Sequence, residues 1–435
     1  MSLGILFCAQ HKTAHRLGEE TRPFFNIAKK PLGWYYFYMD KNLETQIEKV
    51  LTRGTKKIIE KESLVKKLRS GEILRIKHGV DPTTPDLHLG YAVVYRKLKQ
   101  LQDLGHKIVF MIGGFTGRFG DPTDKSDKAR QLRPKEEVEV LAKNYIDQLG
   151  KILDISKVEI RDNSEWFEKM SAEDLLSLMS KFTARRMMER DMFQERDKKG
   201  LEIGLHELVY PVLQGYDSVM LKSDLTVIGS DQEFNELQGR KIQEIYGQKP
   251  QDLIIMPVLV GTDGKEKMSQ SLGNYIGITE EPNSMFGKVM SIPDSSMMNY
   301  FELCTDVSLD EAKKEIENNP RDAKVKLATE IVKIYHGEAE AEKAKEYFVK
   351  TISNKEIPDE IKEIVVNKDE IKLVEFLVLA ELAESNSDAR RKIEQGGVEI
   401  NGEKESDWQR VLTKVDNEAV FKVGKFGFAK IKFEA

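Results

Sequence analysis

Two short stretches hold the residues best suited to chemistry. In "DPTTPDLHLGYAVVYRKLKQLQDLG" (Asp81–Gly105), His88, Gly90 and Tyr91 follow a turn containing Pro82 and Pro85. Asp86 is suited to cap a helix, and Leu87, Val94, Leu98, Leu101 and Leu104 recur at helical spacing up to Gly105. His88 and Tyr91 then share a face of the first turn, where unpaired N–H groups and the positive dipole end suit a phosphate. Gly90, lacking a Cβ, would admit a flat ring against the backbone. A surface histidine in an ordinary first turn has the same appearance. The second stretch, "KMSQS" (Lys267–Ser271), lies in the Gly-, Ser- and Lys-rich loop "TDGKEKMSQSLGN". A lysine and hydroxyls on such a loop can follow a phosphate chain and neutralise departing charge, although a plain solvated loop has the same composition.

Two further groups could hold an amino acid. "YPVLQGYD" sets Tyr210, Gln214 and Asp217 on one helical stripe, where two hydrogen-bonding groups and an acid could meet an ammonium and a polar side chain. "GSDQEFN" puts Ser230, Asp231 and Gln232 just past a strand, at the edge where parallel sheets bind ligands.

The elements that must position these groups follow from periodicity. A charged helical lead-in covers 43–70, followed by a strand over Leu74–Val80, the His88 helix and the strand "KIVFMIGG". That is a βαβ unit, so the fold is α/β with a Rossmann-like parallel sheet. Glycines 113, 114, 117 and 120 break the chain after the second strand. Helices are predicted over 135–150, 171–198 and 205–222, with "LTVIG" and "DLIIMPVLVG" as buried strands. Residues 284–350 read as helical, "ISNKEIPDEIKEIVVNKDE" as a linker with short elements, and the remainder as a small α+β module. The expected divisions are an extension over 1–38, a catalytic domain over 39–283, a helical domain over 284–365 and a module over 370–435.

Bulk composition narrows the class. The chain has 435 residues, 40% apolar and 32% charged, as in a soluble protein of two or three domains. No run approaches the roughly 18 apolar residues of a membrane span, so no membrane partner is expected. With a net charge of −5, a nucleic acid must be met by a local basic patch. Cys8 and Cys304 lie far apart without metal or redox spacing, which fits a reducing cytoplasm and no structural metal. Residues 1–38 lack a helical period and end in an aromatic cluster, whereas Met39 opens an ordinary charged helix start. They read either as translated leader ahead of a start at Met39 or as a poorly ordered extension; a signal or transit peptide does not fit.

Taken together, "GVDPTTPDLHLG", "LQDLGHKIVFMIGGFTGRFGDPT", "YPVLQGYD", "GSDQEFN" and "KMSQSLGNYIGI" resemble bacterial tyrosyl-tRNA synthetases, a class I aminoacyl-tRNA synthetase family. The likeness runs from about residue 43 to the end. It implies that Asp81, Thr83, His88 and Gly90 hold ATP, with Tyr91, Lys267, Gln270 and Ser271 acting near its phosphates. Asp121, Tyr210 and Gln214 would hold the tyrosine ammonium, Asp217 would accept from the phenol, and Gln232 would lie near the carboxylate. Lys125, with Arg130 beside it, would reach pyrophosphate. The resemblance further implies Mg2+ accompanying ATP, tRNA(Tyr) as acceptor, a helical domain on the anticodon side of the tRNA, and a homodimer.

Three positions depart from the family pattern. Tyr91 stands for the second histidine of the HIGH motif, Gln270 for the second lysine of KMSKS, and Lys77 for a tyrosine that touches the phenol in many relatives. The first two leave open a slow or inactive paralogue kept for RNA binding; the third loosens the assignment to tyrosine. Another nucleotidyltransferase sharing the HxGH turn is a further alternative, but it leaves the Tyr210–Asp217 stripe and the tail unexplained. That tail, "NSDARRKIEQGGVEINGEKESD", resembles an S4 RNA-binding domain: Arg390, Arg391 and Lys392 sit on a helix ahead of a Gly-Gly turn and an Asn401–Gly402 hairpin. With Lys422, Lys425, Lys430 and Lys432 they would form a basic face for an RNA backbone.

Overall fold

The computed structural model describes residues 32–121, 133–353, 361–424 and 427–434. The largest sheet has six strands: β1 Lys57–Ile59, β2 Arg75–Val80, β3 Lys107–Ile112, β4 Glu159–Asp162, β5 Leu225–Gly229 and β6 Asp252–Met256. Their order is β1-β6-β5-β2-β3-β4, and all neighbours are parallel except the edge pair β1–β6. Every residue of β6 is buried, as expected where helices cover a parallel sheet on both faces. From β2 the chain moves outward through β3 and β4, then returns to lay β5 and β6 on the other side. The reversal opens a crevice at the C-terminal ends of β2 and β5.

Several elements differ from the sequence reading. The lead-in over 43–70 is not one helix: a helix over Leu32–Thr52 is followed by β1 and a helix over Lys61–Arg69. The first of these begins inside the stretch read as extension. The helix expected over 171–198 is three pieces, Ala172–Met179, Ala184–Met187 and Asp191–Lys198. Ser171 and Thr183 each accept from a backbone N–H three residues on, so the second start has a cap of its own. The helix over Leu205–Leu221 absorbs Pro211 in its interior. The boundary drawn at 283 falls within the helix Pro282–Ser291, and one apolar core runs from Ile254 through Phe286 to Ile331.

The C-terminal module has its own core, including Leu373, Phe376, Phe421 and Ile431. Its sheet incorporates Lys362–Val366, which the sequence reading left in the linker; this strand pairs in parallel with Gly427–Phe433 at the edge. Burial alternates there, but the sequence does not, because exposed Val365 between buried Ile364 and Val366 is also apolar. The hairpin forms as expected: Asn401 and Gly402 both take positive φ between Val398–Ile400 and Glu403–Lys404.

One buried and one half-buried cation join the sheet domain to the helices that follow it. Lys97, on the helix Leu89–Asp103, is 2% exposed and donates to the carbonyls of Val50 and Arg53 at 2.8 and 2.9 Å. These carbonyls end the helix that stops at Thr52 and have no partner within it. Arg53 in turn donates to the carbonyls of Phe301, Glu302 and Thr305, at the end of the helix Met297–Cys304. Asp306, just beyond, accepts from Lys49 and Arg96. Lys97→Met keeps the apolar stem but takes this donor from the Arg53 carbonyl and leaves the Val50 carbonyl with Thr55 Oγ1, and should lower unfolding free energy by about 1–3 kcal/mol in a denaturant titration. A change below about 0.5 kcal/mol would mean that water caps this end instead.

Candidate active site

A cavity of about 250 Å³ lies at the β2/β5 crevice. Asp81, Thr83, His88, Gly90 and Tyr91 enter it from beyond β2, Asp121 from beyond β3, and Gln232 from beyond β5. Tyr210, Gln214 and Asp217 reach it from the helix Leu205–Leu221, and Lys267 from its loop. Residues tens to hundreds of positions apart thus share one space. Gln270 and Ser271 do not line it, whereas Met268 and Ser269 do. Lys125 and Arg130 lie outside the described residues.

At one end, His88 itself is the N-cap of the helix, not Asp86. Its Nδ1 accepts from the Gly90 N–H at 3.1 Å, so the neutral ring carries its proton on Nε2. The other early amides are also used: Leu89 donates to Ile276, and Tyr91 and Ala92 to His88. The expectation of unpaired first-turn N–H groups is therefore corrected. What remains for an anion is the dipole, the Nε2 proton and nearby side chains. Gly90 is required for a different ring than expected, since a Cβ there would stand 2.8 Å from the His88 imidazole. Burial, reinforced by Lys267, lowers the His88 pKa to about 4. The Tyr91 ring packs 4.5 Å from it, and Tyr275 flanks it at 6.0 Å.

The loop bearing Lys267 is tied down. Met268 is buried and its N–H donates to Leu259, while Asn274 accepts from Ser269 and donates to Asp263. Gln270 donates through Nε2 to the Asp86 carbonyl at 2.8 Å, fastening the loop to the turn before His88. Lys267 reaches Asp231 at 3.6 Å.

At the other end stands a set of buried and half-buried acids. Tyr210 donates to Asp81 Oδ2 at 2.7 Å and Thr116 to Oδ1 at 2.8 Å. Asp121 accepts from Gln232 Nε2 at 2.6 Å and from Arg190 at 3.2 Å. Asp217 is fully buried and accepts from Trp166 Nε1 at 3.0 Å and Asn163 Nδ2 at 3.5 Å. Burial raises its pKa to about 8 against the pull of Lys77 and these donors. Lys77 does not line the cavity; it is 0% exposed beneath it, paired with Glu236 at 3.0 Å. Sequence reasoning missed Thr116, Asn163, Trp166, Arg190 and Glu236. None carries a motif; Glu236 alone offered a signal, as an acid one helical turn beyond Gln232.

In the C-terminal module, Arg390 pairs with Glu394 and stacks 4.2 Å from the Trp408 ring centre, while Arg391 and Lys392 both pair with Asp388. Lys422, Lys430 and Lys432 likewise each meet a glutamate. Each described cation of the expected basic face therefore has an acidic neighbour. Lys425 lies outside the described residues.

Residues 69–353 match the family "tRNA synthetases class I (W and Y)", and residues 353–425 match the "Tyrosine--tRNA ligase SYY-like C-terminal domain". Among curated relatives, a protein of Clostridium acetobutylicum named tyrosine–tRNA ligase 2 is 47% identical over 404 residues, covering 91% of this chain and all of that one. The tyrosine–tRNA ligase of Aquifex aeolicus is 46% identical over 387 residues, covering 88% and 97%. Among solved structures, a C-terminally truncated mitochondrial tyrosyl-tRNA synthetase of Aspergillus nidulans superposes with TM-score 0.58 at 21% identity, covering 72% of this chain and 97% of that one. The Archaeoglobus fulgidus tyrosyl-tRNA synthetase, solved with L-tyrosine, gives TM-score 0.56 at 21% identity, covering 70% and 99%. At that identity the likeness is one of fold.

The His88 geometry has a direct spectroscopic consequence. Nitrogen-15 correlation spectra, assigned by loss in His88→Gln, should show an Nε2-protonated ring that does not titrate between pH 5 and 8. A His88 resonance titrating near 6.5 would mean that the Gly90 bond does not hold in solution.

Proposed function

The chain belongs to the class I tRNA synthetases of the tryptophan- and tyrosine-specific family, and from that premise we propose how its residues perform tyrosine–tRNA ligation. The enzyme activates L-tyrosine with ATP to tyrosyl-adenylate and pyrophosphate, then passes the tyrosyl group to the 3′ end of tRNA. The observation that carries the residue assignments is the single cavity with His88 and Lys267 at one end and Tyr210, Gln214 and Asp217 at the other. The alternative of a binding-only paralogue finds no support in the curated relatives.

Tyrosine lies with its ammonium against Asp121, Tyr210 and Gln214 and its phenol against Asp217. Its carboxylate attacks the α-phosphorus of ATP and the bond to the β-phosphate oxygen breaks, releasing pyrophosphate. The nucleophile is already ionised, so no general base is needed; alignment and placed charge supply the catalysis. His88 offers its Nε2 proton to phosphate oxygen, and Lys267 leaves Asp231 for the departing pyrophosphate. Gln270 acts by holding the loop. Mg2+ arrives with ATP, because it keeps several waters and binds mainly phosphate oxygens. This fits a cleft whose acids Asp81 and Asp121 are already hydrogen-bonded to Tyr210, Thr116, Gln232 and Arg190.

In the module, Arg390, Arg391 and Lys392 contact the tRNA backbone. The Arg390–Glu394 pair is exposed on both sides, so phosphate can displace Glu394, and the exposed Arg391 guanidinium can turn from the buried Asp388 to a phosphate. A homodimer and a cytoplasmic location belong to the same proposal. No helix among the described residues is long and apolar enough to cross a membrane.

Exchange of labelled pyrophosphate into ATP should depend on tyrosine, and exchange with tryptophan alone would overturn the substrate assignment. Asp217→Ala should reduce the preference for tyrosine over phenylalanine by roughly 10- to 100-fold, since the phenol loses its partner. The ionised carboxylate is the acceptor, so tyrosine binding must draw the Asp217 pKa down from about 8. Affinity should therefore rise with pH up to about 8 and then level, with proton release on binding at pH 7 detected by calorimetry in buffers of differing ionisation enthalpy. Proton uptake would mean that the neutral acid is the binding form.

A further inference from the structure

Beneath the cavity floor, a buried ion pair feeds a chain of amides that ends at the proposed ammonium site. Lys77 Nζ donates to both oxygens of Glu236 at 3.0 and 3.1 Å, to Ser218 Oγ at 2.8 Å and to the Gln214 carbonyl at 3.3 Å. Glu236, 1% exposed, also accepts from Gln214 Nε2 at 2.9 Å and Gln251 Nε2 at 2.8 Å. An ionised carboxylate only accepts, so it fixes which end of the Gln214 amide points down. The Gln214 oxygen is left to accept from Asn235 Nδ2 at 2.7 Å, and that nitrogen also donates to Gln232 Oε1 at 3.1 Å. Gln232 Nε2 then points to the second acid, Asp121, at 2.6 Å.

Every amide in this chain is oriented by an anion at one end or the other. Turning Asn235 over would bring its oxygen against two other amide oxygens. In the orientation seen, its buried Oδ1 makes no hydrogen bond. Asn235 therefore does not satisfy itself; the polarity is imposed on it from Glu236 and Asp121.

We propose that Lys77 and Glu236 are positioning residues for amino-acid recognition: together they hold the Gln214 amide with its oxygen toward the ammonium of the substrate. The inference deepens the tyrosine-site reading above and rests on it. Lys77 holds Glu236 in place, and the second lone pair of Gln214 Oε1 stays available to an N–H of the ligand. A neutral partner at 236 would let the amide turn and present N–H to a cation. This gives a role to the lysine that stands where many relatives carry a tyrosine: it acts through an acid and an amide, without touching the substrate.

The test compares tyrosine with its desamino analogue, 3-(4-hydroxyphenyl)propionate, which has the phenol and carboxylate but no ammonium. Binding of both is measured by calorimetry in the full chain and in Gln214→Ala, Glu236→Gln and the pairwise Lys77→Met/Glu236→Met. The pairwise change removes both buried charges together, which guards against loss of the fold through an uncompensated one. Glu236→Gln and the pairwise variant should each lose about tenfold in the preference for tyrosine over the analogue, with analogue affinity and KM for ATP within about twofold. If both ligands weaken alike, the pair is merely structural and the proposal fails. If the preference survives in both variants while Gln214→Ala loses it, the ammonium site stands but the pair does not orient it. If Gln214→Ala also keeps the preference, the tyrosine-site reading itself falls, and the proposal with it.

Discussion

An ionised carboxylate can only accept hydrogen bonds, and the cavity region holds four buried or half-buried acids that must each be satisfied: Asp81, Asp121, Asp217 and Glu236. Lys77 and Arg190 are the full cations that pair with two of them. The rest is supplied by Tyr210, Thr116, Trp166, Asn163, Gln214, Gln232 and Gln251, each oriented by the acid it serves. A site built this way is organised before any ligand enters. The donors have already lost their freedom, so an ammonium or hydroxyl meets fixed acceptors with little further ordering. Asp217 is the exception that proves useful. Lacking a direct cationic partner, it is held only by Trp166 and Asn163 at 3.0 and 3.5 Å, and burial leaves its carboxyl with a pKa of about 8.

The fold supplies this arrangement through one topological event. Because the chain reverses its direction of growth across the sheet, the segments leaving β2 and β5 diverge and leave a cleft between them. The β2 side brings His88 and Asp81, the β5 side brings Asp231 and Gln232, and the helix before β5 brings the Tyr210 stripe. Lys97 and Arg53 then fix the helix carrying His88 against the helices after the Lys267 loop. Both ends of that loop are thereby anchored to one frame.

Much of this was legible in the sequence, for reasons that differ by element. The βαβ unit announced itself through periodicity and turn chemistry, and the lining residues through motifs that place polar groups just beyond strands. Short strands such as Lys57–Ile59 and Lys362–Val366 were hidden because charged flanks made them look helical or unstructured. The Asp86 cap was misplaced because histidine is an uncommon N-cap, and its ring lies over the backbone only because residue 90 is glycine. The supporting donors Trp166, Asn163 and Arg190 come from the connection between β4 and β5, which has no signature, since what defines them is an acid 51, 54 or 69 residues away. Long-range hydrogen bonds leave no period in the chain.

The phosphate end shows the same economy by other means. With the amides of residues 89–92 already engaged, the helix start cannot grip a triphosphate through its backbone. In the proposed reading side-chain charge does so, and the cavity-wall lysine among the described residues, Lys267, lies 3.6 Å from Asp231. That contact is solvent-facing and weak, so exchanging a carboxylate for a phosphate costs little. The exchange needs only a side chain to swing, because Met268 and the Gln270 amide hold the loop backbone where it is. A lysine at position 270 would bring a second charge but an ammonium in place of the planar amide that now spans to Asp86. In the proposed reading, glutamine at that position trades charge on the leaving group for a loop that is already in place.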